Sequence, residues 1–424
     1  MTPEIKQQIE QIRRGEVPEG FKHNSASVMP CDWNTCDFHE VATIQSGLVS
    51  PKEEPYCFMF HIGPDNIERD TGRIGNLKTA CELGLVSGKF YFDAGSIVYS
   101  KIRPNLNKVC IPNFEGICSA DCYSIKARAG IDRDYLFNLM LSFPFYRRAV
   151  ACSMSTGMPK INQDDLNAIP VVMPSQLEEQ QKIAAILTTQ DKVIELKEKL
   201  LAEKQRQKKY LMQVLLTGKK RLPRFSGEWK VNRLRNIATR HTKRNTIGNT
   251  NALTISAQYG LINQAEFFNK AVASDDKSNY FLLEKGDFAY NKSYSNGYPF
   301  GAIKRLTRYE VGIVSPLYIC FRIKEGSVSG EYLEQYFEAG LMNHEIQAFA
   351  QEGARNHGLL NIAVDDFFNS KILLPSPEEQ TAIAEIFSTA DREIDLLRQD
   401  IEQEKQKKKA LMQLLLTGIV RVCG

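Results

Sequence analysis

Long hydrophobic runs are missing from this sequence. Nowhere do 18 apolar residues stand together, so no membrane-spanning helix and no membrane partner are expected. The opening Met1-Thr2-Pro3-Glu4-Ile5-Lys6 lacks the basic-then-apolar layout of a secretion signal. The ten cysteines are therefore expected as reduced thiols in a cytoplasmic protein. Cys31-x₃₋₄-type spacings occur at Cys31/Cys36 and Cys118/Cys122, but no second pair completes a zinc site. The six histidines are scattered, and no nucleophile–base arrangement can be drawn from them. A glycine-rich cofactor loop and an Asn/Asp-Pro-Pro-aromatic motif are both lacking, which argues against a methyltransferase in one chain. Gly84-Leu85-Val86-Ser87-Gly88-Lys89-Phe90 is one residue short of a P-loop and has no Ser or Thr after its lysine. No cofactor or metal is expected in this chain. Asp191 with Glu195-Leu196-Lys197 reads as surface charge on a helix.

One-sided charge is also absent. The net charge is +4, distributed as −2 over residues 1–170, +5 over 171–221, +3 over 222–371 and −2 over 372–424. Any nucleic-acid role must rest on local patches.

What the sequence does have is a repeat. From Glu178 and Glu378 onward two stretches align without a gap at an offset of 200, with 19 of 41 positions identical, ending at Gly218 and Gly418. A repeat of this length means a chain built twice over. Each copy reads as one long helix. Ser175 with Glu178 and Ser376 with Glu379 have capping-box spacing, Pro377 suits a first helical position, and Gly218 and Gly418 suit left-handed C-terminal caps. Some 40 residues make a rod of about 60 Å.

An apolar stripe runs along each rod: Ile183, Ile186, Leu187, Val193, Ile194, Leu200 and Leu201 in the first, Ile383, Ile386, Phe387, Ile394, Leu397 and Ile401 in the second. Such a stripe must be buried on something. Both rods begin acidic (Glu178, Glu179; Glu378, Glu379, Glu385) and end basic (Lys204 to Lys209; Lys405 to Lys409). Acid-first, base-last suits the helix dipole by itself, but it also lets the two rods zip antiparallel.

The remainder repeats more loosely. Trp33 is followed by Phe38, Val41 and Ala42 as Trp229 is by Leu234, Ile237 and Ala238. These Trp residues read as core anchors. Phe92-Asp93-Ala94-Gly95 to Lys101 matches Leu283-Glu284-Lys285-Gly286 to Lys292, a turn then a strand with a lysine six residues past the glycine. Helical runs follow at Asp134–Val150, interrupted by Pro144, and Gly330–Phe349. A loop (Gly157; Gly358), an Asp-Asp pair and a strand then lead into each rod. The fold class expected is α+β: two α/β heads joined by two long helices that pair as an antiparallel coiled coil, a pseudo-two-fold repeat. The divisions are 1–173, 174–220, 221–374 and 375–424.

With these motifs in view, the whole chain resembles the specificity subunit of type I restriction–modification systems. The resemblance is carried by the Glu-Glu-Gln entries (Pro174 to Gln180, Pro375 to Gln380), the Leu-Met-Gln to Leu-Thr-Gly exits and Tyr99-Ser100-Lys101-Ile102-Arg103-Pro104. The first entry has an extra residue and lacks the counterpart of Pro377. The resemblance implies a non-catalytic subunit whose two target-recognition domains, 1–173 and 221–374, each read half of a split asymmetric target on double-stranded DNA. The helical spacers, 174–220 and 375–424, would set the separation. Two methyltransferase subunits would dock on the chain, and restriction/translocase subunits would join them. S-adenosylmethionine, ATP and Mg would belong to those partners.

Cations fork onto guanine or neutralise phosphate, and Asn suits adenine edges. On those grounds Lys101, Arg103, Asn105, Asn107 and Lys108 are the expected DNA contacts of the first head. Lys292, Tyr294, Asn296, Tyr298, Lys304 and Arg305 are those of the second. The loops before the rods add Lys160 in the first and Arg355, Asn356 and His357 in the second. The rival readings are a stand-alone DNA-binding regulator and a coiled-coil scaffold with no DNA role.

Overall fold

Runs that bury every residue mark the strands at the centre of each half, because a sheet covered on both faces has no solvent side. In a computed structural model the residues described are 3–23, 28–153, 159–256, 259–268, 276–294, 297–352 and 360–422. Gly157, Asn296, Arg355, Asn356, His357 and Gly358 lie outside them. The chain forms two compact units: Met1–Glu198 with Asp400–Gly424, and Lys199–Gln399.

In the first unit the strands are β1 (Trp33–Asp37), β2 (Ala42–Ile44), β3 (Ile97–Ser100), β4 (Val109–Cys110), β5 (Cys122–Ala127) and β6 (Pro170–Pro174). Strands β4-β3-β5-β2 form an antiparallel sheet, and β6 pairs with β1 before entering the first rod. Ile97 and Tyr99 of β3 point into a core with Trp33, Phe38, Ile125, Tyr135 and Leu136. Val98, on the alternate face, joins a smaller core with Ile62, Phe92, Cys110, Cys118 and Cys122. That smaller core underlies a five-stranded sheet whose Phe60–Ile62 and Gly116–Cys118 run parallel. After β5 come helices α1 (Arg133–Leu141) and α2 (Phe143–Cys152), separated at Ser142 with Pro144 in the first turn of α2.

The second unit repeats the frame with β7 (Lys230–Arg233), β8 (Ala238–Arg240), β9 (Phe288–Asn291), β10 (Ala302–Arg305), β11 (Ile319–Ile323) and β12 (Lys371–Leu374). Here β8-β11-β9-β10 form the antiparallel sheet and β12 pairs with β7. Phe288 and Tyr290 face the main core, and Ala289 faces a smaller one with Leu253, Leu283 and Val314. Helix α3 (Gly330–Glu338) occupies the place of α1, and its run also breaks, at Gly340 with φ +71°.

The rods span Leu177–Leu215 and Pro377–Leu415, 39 residues each. Within the first unit Asp191 pairs with Lys408 at 2.6 Å, Lys197 with Asp400 and Glu404 at 2.8 Å, and Glu198 with Lys405 at 2.8 Å. Within the second, Glu393 meets Lys204 at 2.8 Å and Asp391 meets Lys208 at 2.5 Å. One number falls as the other rises, so the segments run antiparallel in both units. Exposed pairs of this kind contribute little; the apolar stripe contributes more. Ile183, Leu187 and Leu415 complete the main core of the first unit, and Met212, Leu215, Ile383 and Phe387 that of the second. Not all the stripe is covered: Ile186 and Leu200 remain 37% and 48% exposed.

The rod ends correct one expectation. Ser175 is not a capping hydroxyl: it donates to the Asp32 carbonyl at 2.6 Å. Ser376 does accept from the Glu379 N–H, at 3.4 Å, but the Glu379 carboxylate takes two bonds from Arg221, both at 2.7 Å, and one from the Trp229 indole N–H at 3.2 Å. Glu179 repeats this with Arg421 at 2.7 and 2.9 Å and Trp33 at 3.3 Å. A guanidinium presents a fork that satisfies both carboxylate oxygens, which a capping role does not do. The neighbouring glutamines work as a pair as well. Gln180 accepts the N–H of Asp132, the cap of α1, and Gln380 that of Ser329, the cap of α3, each at 2.9 Å. The glycine caps match expectation: Gly218 and Gly418 have φ +71° and +72°, and a Cβ on Gly418 would come within 2.5 Å of Pro30 Cγ.

Candidate nucleic-acid interface

The loop after β3 is short and tightly held. Tyr99 faces Val109 across the turn, ten residues on. Proline at 104 fixes the backbone ahead of a single 3₁₀ turn, and Arg103 and Asn107 flank that turn with φ of +48° and +46°. The Lys101 carbonyl accepts from Ile161 N–H at 2.9 Å, Arg103 N–H donates to the Pro159 carbonyl at 2.7 Å, and Ile102 bridges Lys160. Two loops more than fifty residues apart in sequence therefore form one surface. It carries Lys101, Arg103, Asn105 and Lys160, the last three exposed. Lys101 lies 5.3 Å from the Tyr123 ring centroid, and its pKa is lowered by burial first and by the nearby Lys160 charge second. Clustered cations with lowered affinity for their own protons favour an anionic partner.

Not every expected contact belongs to this surface. Asn107 is buried, and its amide donates to the Leu141 carbonyl at 3.1 Å and to Asp70 at 3.2 Å. It holds the loop onto α1 and faces the protein interior, not the exposed surface expected of it. Lys108 is half-buried and donates to the Pro64 carbonyl at 2.6 Å.

In the second unit, Lys292 follows β9 as Lys101 follows β3, and its carbonyl accepts from Leu360 N–H at 3.1 Å. The same joining of two loops thus recurs. Tyr294 is 64% exposed. Tyr298, Lys304 and Arg305, in contrast, are structural and correct the expectation placed on them. The Tyr298 hydroxyl donates to Glu338 at 2.5 Å, Lys304 donates to that hydroxyl at 2.8 Å and also pairs with Glu338, and Lys304 is buried. Burial, then the Glu338 charge, pushes the Tyr298 pKa up. Arg305 bonds Glu331 at 2.6 Å and Glu334 at 2.9 Å on α3. Each is held by a carboxylate on α3, Glu338 for Tyr298 and Lys304, Glu331 and Glu334 for Arg305, a signal that a bare list of cations in the sequence does not carry.

Residues that could serve chemistry instead serve packing. Lys89 of the P-loop-like stretch folds back on its own loop, donating to the Ser87 carbonyl at 2.8 Å and hydroxyl at 2.6 Å. Cys118 and Cys122 are core residues, and burial pushes the Cys118 thiol up to about 12, far from the thiolate that metal binding needs. Among the described residues no cluster of three His, Cys, Asp or Glu could hold a metal, and no helix is long and apolar enough to cross a membrane. The arrangement is one frame used twice, each time joining the loop after a central strand to the loop that precedes the rod.

The family model for the type I restriction modification DNA specificity domain matches residues 30–205 and again 226–406. This chain belongs to that family. It is 40% identical over 181 residues to the type I restriction enzyme EcoDI specificity subunit of Escherichia coli, a match covering 43% of this chain and 38% of that protein. It is 26% identical over 334 residues to the MjaVIII specificity subunit of Methanocaldococcus jannaschii, covering 73% and 75%. Among solved structures, a chain from a type I R-M complex studied for its assembly and conformational transition matches with a TM-score of 0.59 at 17% identity, covering 92% of this chain and 99% of that one. The S subunit from M. genitalium matches with 0.54 at 12% identity, covering 93% and 97%. At such identities the likeness is one of fold.

Proposed function

We propose that each head reads one half of a split, asymmetric target on double-stranded DNA, and that the chain does so without catalytic chemistry of its own. The observation that carries this reading is the meeting of two loops at Lys101, Arg103 and Lys160, with the same joining at Lys292. Cations placed this way neutralise phosphates and reach base edges. The divisions 1–173 and 221–374 act as the recognition domains. The divisions 174–220 and 375–424 act as a ruler. Methyltransferase subunits carrying S-adenosylmethionine dock on the chain, restriction/translocase subunits supply ATP- and Mg-dependent work, and the assembly functions in the cytoplasm. Membership of the family and likeness to MjaVIII over most of both chains support these assignments.

Mapping methylated adenines genome-wide, in cells expressing this chain with a methyltransferase partner, tests the reading. A bipartite motif of two unlike halves is expected. Adding a helical turn within 203–209 is expected to lengthen the gap between the halves and leave both unchanged; an unaltered gap would count against the ruler. If no methyltransferase subunit co-purifies while duplex binding persists, the stand-alone regulator takes its place. Loss of all salt-dependent duplex binding, partners included, favours the scaffold.

A further inference from the structure

Counted outward from their strands, the two reading loops share their start and then part. Lys101 and Lys292 each come one residue past the strand end, and each is fixed through its carbonyl by the second loop, by Ile161 in one head and Leu360 in the other. Two positions further, Arg103 stands in the first loop and Tyr294 in the second, both exposed. Neither side chain has a hydrogen-bond or ion-pair partner among the described residues. Beyond them the loops diverge in length, since Tyr99 meets its partner ten residues on and Tyr290 meets Ile303 thirteen on. Both far limbs nevertheless end on the last residue of the following helix: Asn107 on Leu141, Tyr298 on Glu338.

Arg103 is also aimed. Its φ of +48° is a left-handed conformation that residues with a side chain seldom adopt, and it is held there by N–H donation to Pro159 and by the Leu106 N–H on its own carbonyl at 2.9 Å. A feature kept in both heads fits what any two half-sites share, the phosphate backbone. A feature that differs in chemistry at an equivalent, partner-free, outward position fits what differs between them, the bases.

We propose that Lys101 and Lys292 are phosphate anchors, and that Arg103 and Tyr294 are equivalent base-reading residues. Arg103 forks onto O6 and N7 of a guanine in the first half-site. Tyr294, which has no fork, packs its ring on a thymine methyl in the second. The inference rests on the DNA-reading proposal above.

The test uses the full chain with its methyltransferase partner, selecting bound duplexes from a randomised library at several salt concentrations. Lys101→Ala and Lys292→Ala are expected to weaken binding to all sequences alike and to reduce the salt slope by about one, with both half-sites unchanged. Arg103→Lys keeps the charge and loses the fork, so guanine preference at one position of the first half-site should fall by about 10- to 100-fold while the second half stays the same. Tyr294→Ala should relax one position of the second half only. Retained guanine preference in Arg103→Lys, or a uniform loss without relaxation, would overturn the assignment of base reading while leaving the DNA face intact. If the two lysine variants leave affinity and salt slope untouched, the DNA-facing assignment of these loops fails with it.

Discussion

The two heads keep the same frame by different means, and the difference separates scaffold from reader. On β5, Lys126 pairs with Asp93 at 2.5 Å; at the equivalent place on β11, Arg322 bonds Asp287 at 2.6 Å and Glu284 at 2.9 Å. The residue types change but the link from central strand to preceding turn survives, and the cation depresses the pKa of both Asp93 and Glu284. Loop positions that point outward obey no such rule: Arg103 and Tyr294 share a place and no chemistry. The smaller lobes differ even in strand arrangement, a mixed five-stranded sheet in one head and two separate pairs in the other. Frame positions tolerate exchange within a physical class, because their partners are fixed. The side chains at the proposed reading positions, Arg103 and Tyr294, have no hydrogen-bond or ion-pair partner among the described residues.

The first way to break the comparison is at the tryptophans. Trp33 is fully buried, whereas Trp229 is only half-buried at the matching site. Trp33→Ala is expected to cost about 4 kcal/mol, and Trp229→Ala clearly less, read as two separate shifts in hydrogen-exchange protection of the two heads. Equal losses would mean that burial does not set the weight of this anchor. Next come the arginines. Glu379 is 1% exposed, so removing its partner in Arg221→Ala leaves a buried charge uncompensated, at about 3 kcal/mol. Arg421→Ala is expected to act alike on the first head through Glu179, with Asp32 losing a partner as well. Denaturant unfolding of each variant checks both figures. A neutral Arg221→Ala would show that water already reaches Glu379.

Much of this plan was legible from the repeat alone. An offset of 200 fixed which segments are copies, the apolar stripe required a partner, and the acidic start and basic end suited an antiparallel one. The glycine caps were readable because a left-handed cap is a local conformation, and the tryptophan anchors because each heads the same apolar spacing in both halves. What could not be read depends on residues brought together by the fold. Glu379 carried a capping-box spacing and its counterpart Glu179 did not, yet both bind arginines that lie far along the chain, Arg221 and Arg421. Those arginines share the offset of 200, a signal that was present beyond the glycines and pointed to no chemistry without coordinates. Of the expected DNA contacts, Asn107, Tyr298, Lys304 and Arg305 bond to protein groups instead of standing free on the surface, because polar residue type does not say which way a side chain faces. The meeting of Lys160 with the loop at Lys101 had no sequence signal at all.

Acid gives a subtler comparison, since the two units do not share every rod contact. In the first unit Glu404 accepts from Lys197 and Gln190, and these bonds, Lys197 first, bring its pKa down to about 2. Its counterpart in the other rod is Lys204, which instead pairs with Glu393 at 2.8 Å. A carboxylate whose folded pKa lies below its unfolded value of about 4.3 stabilises the folded state at neutral pH, and that stabilisation is lost as pH falls through the window from there toward 2. Because Glu404 is screened by solvent, the loss is small. Glu404→Gln should therefore flatten the acid limb of unfolding between about pH 4 and pH 2, with the wild type and variant converging at the bottom of that window. An acid limb left unchanged by Glu404→Gln would mean that the bonds from Lys197 and Gln190 do not hold this carboxylate in the folded state.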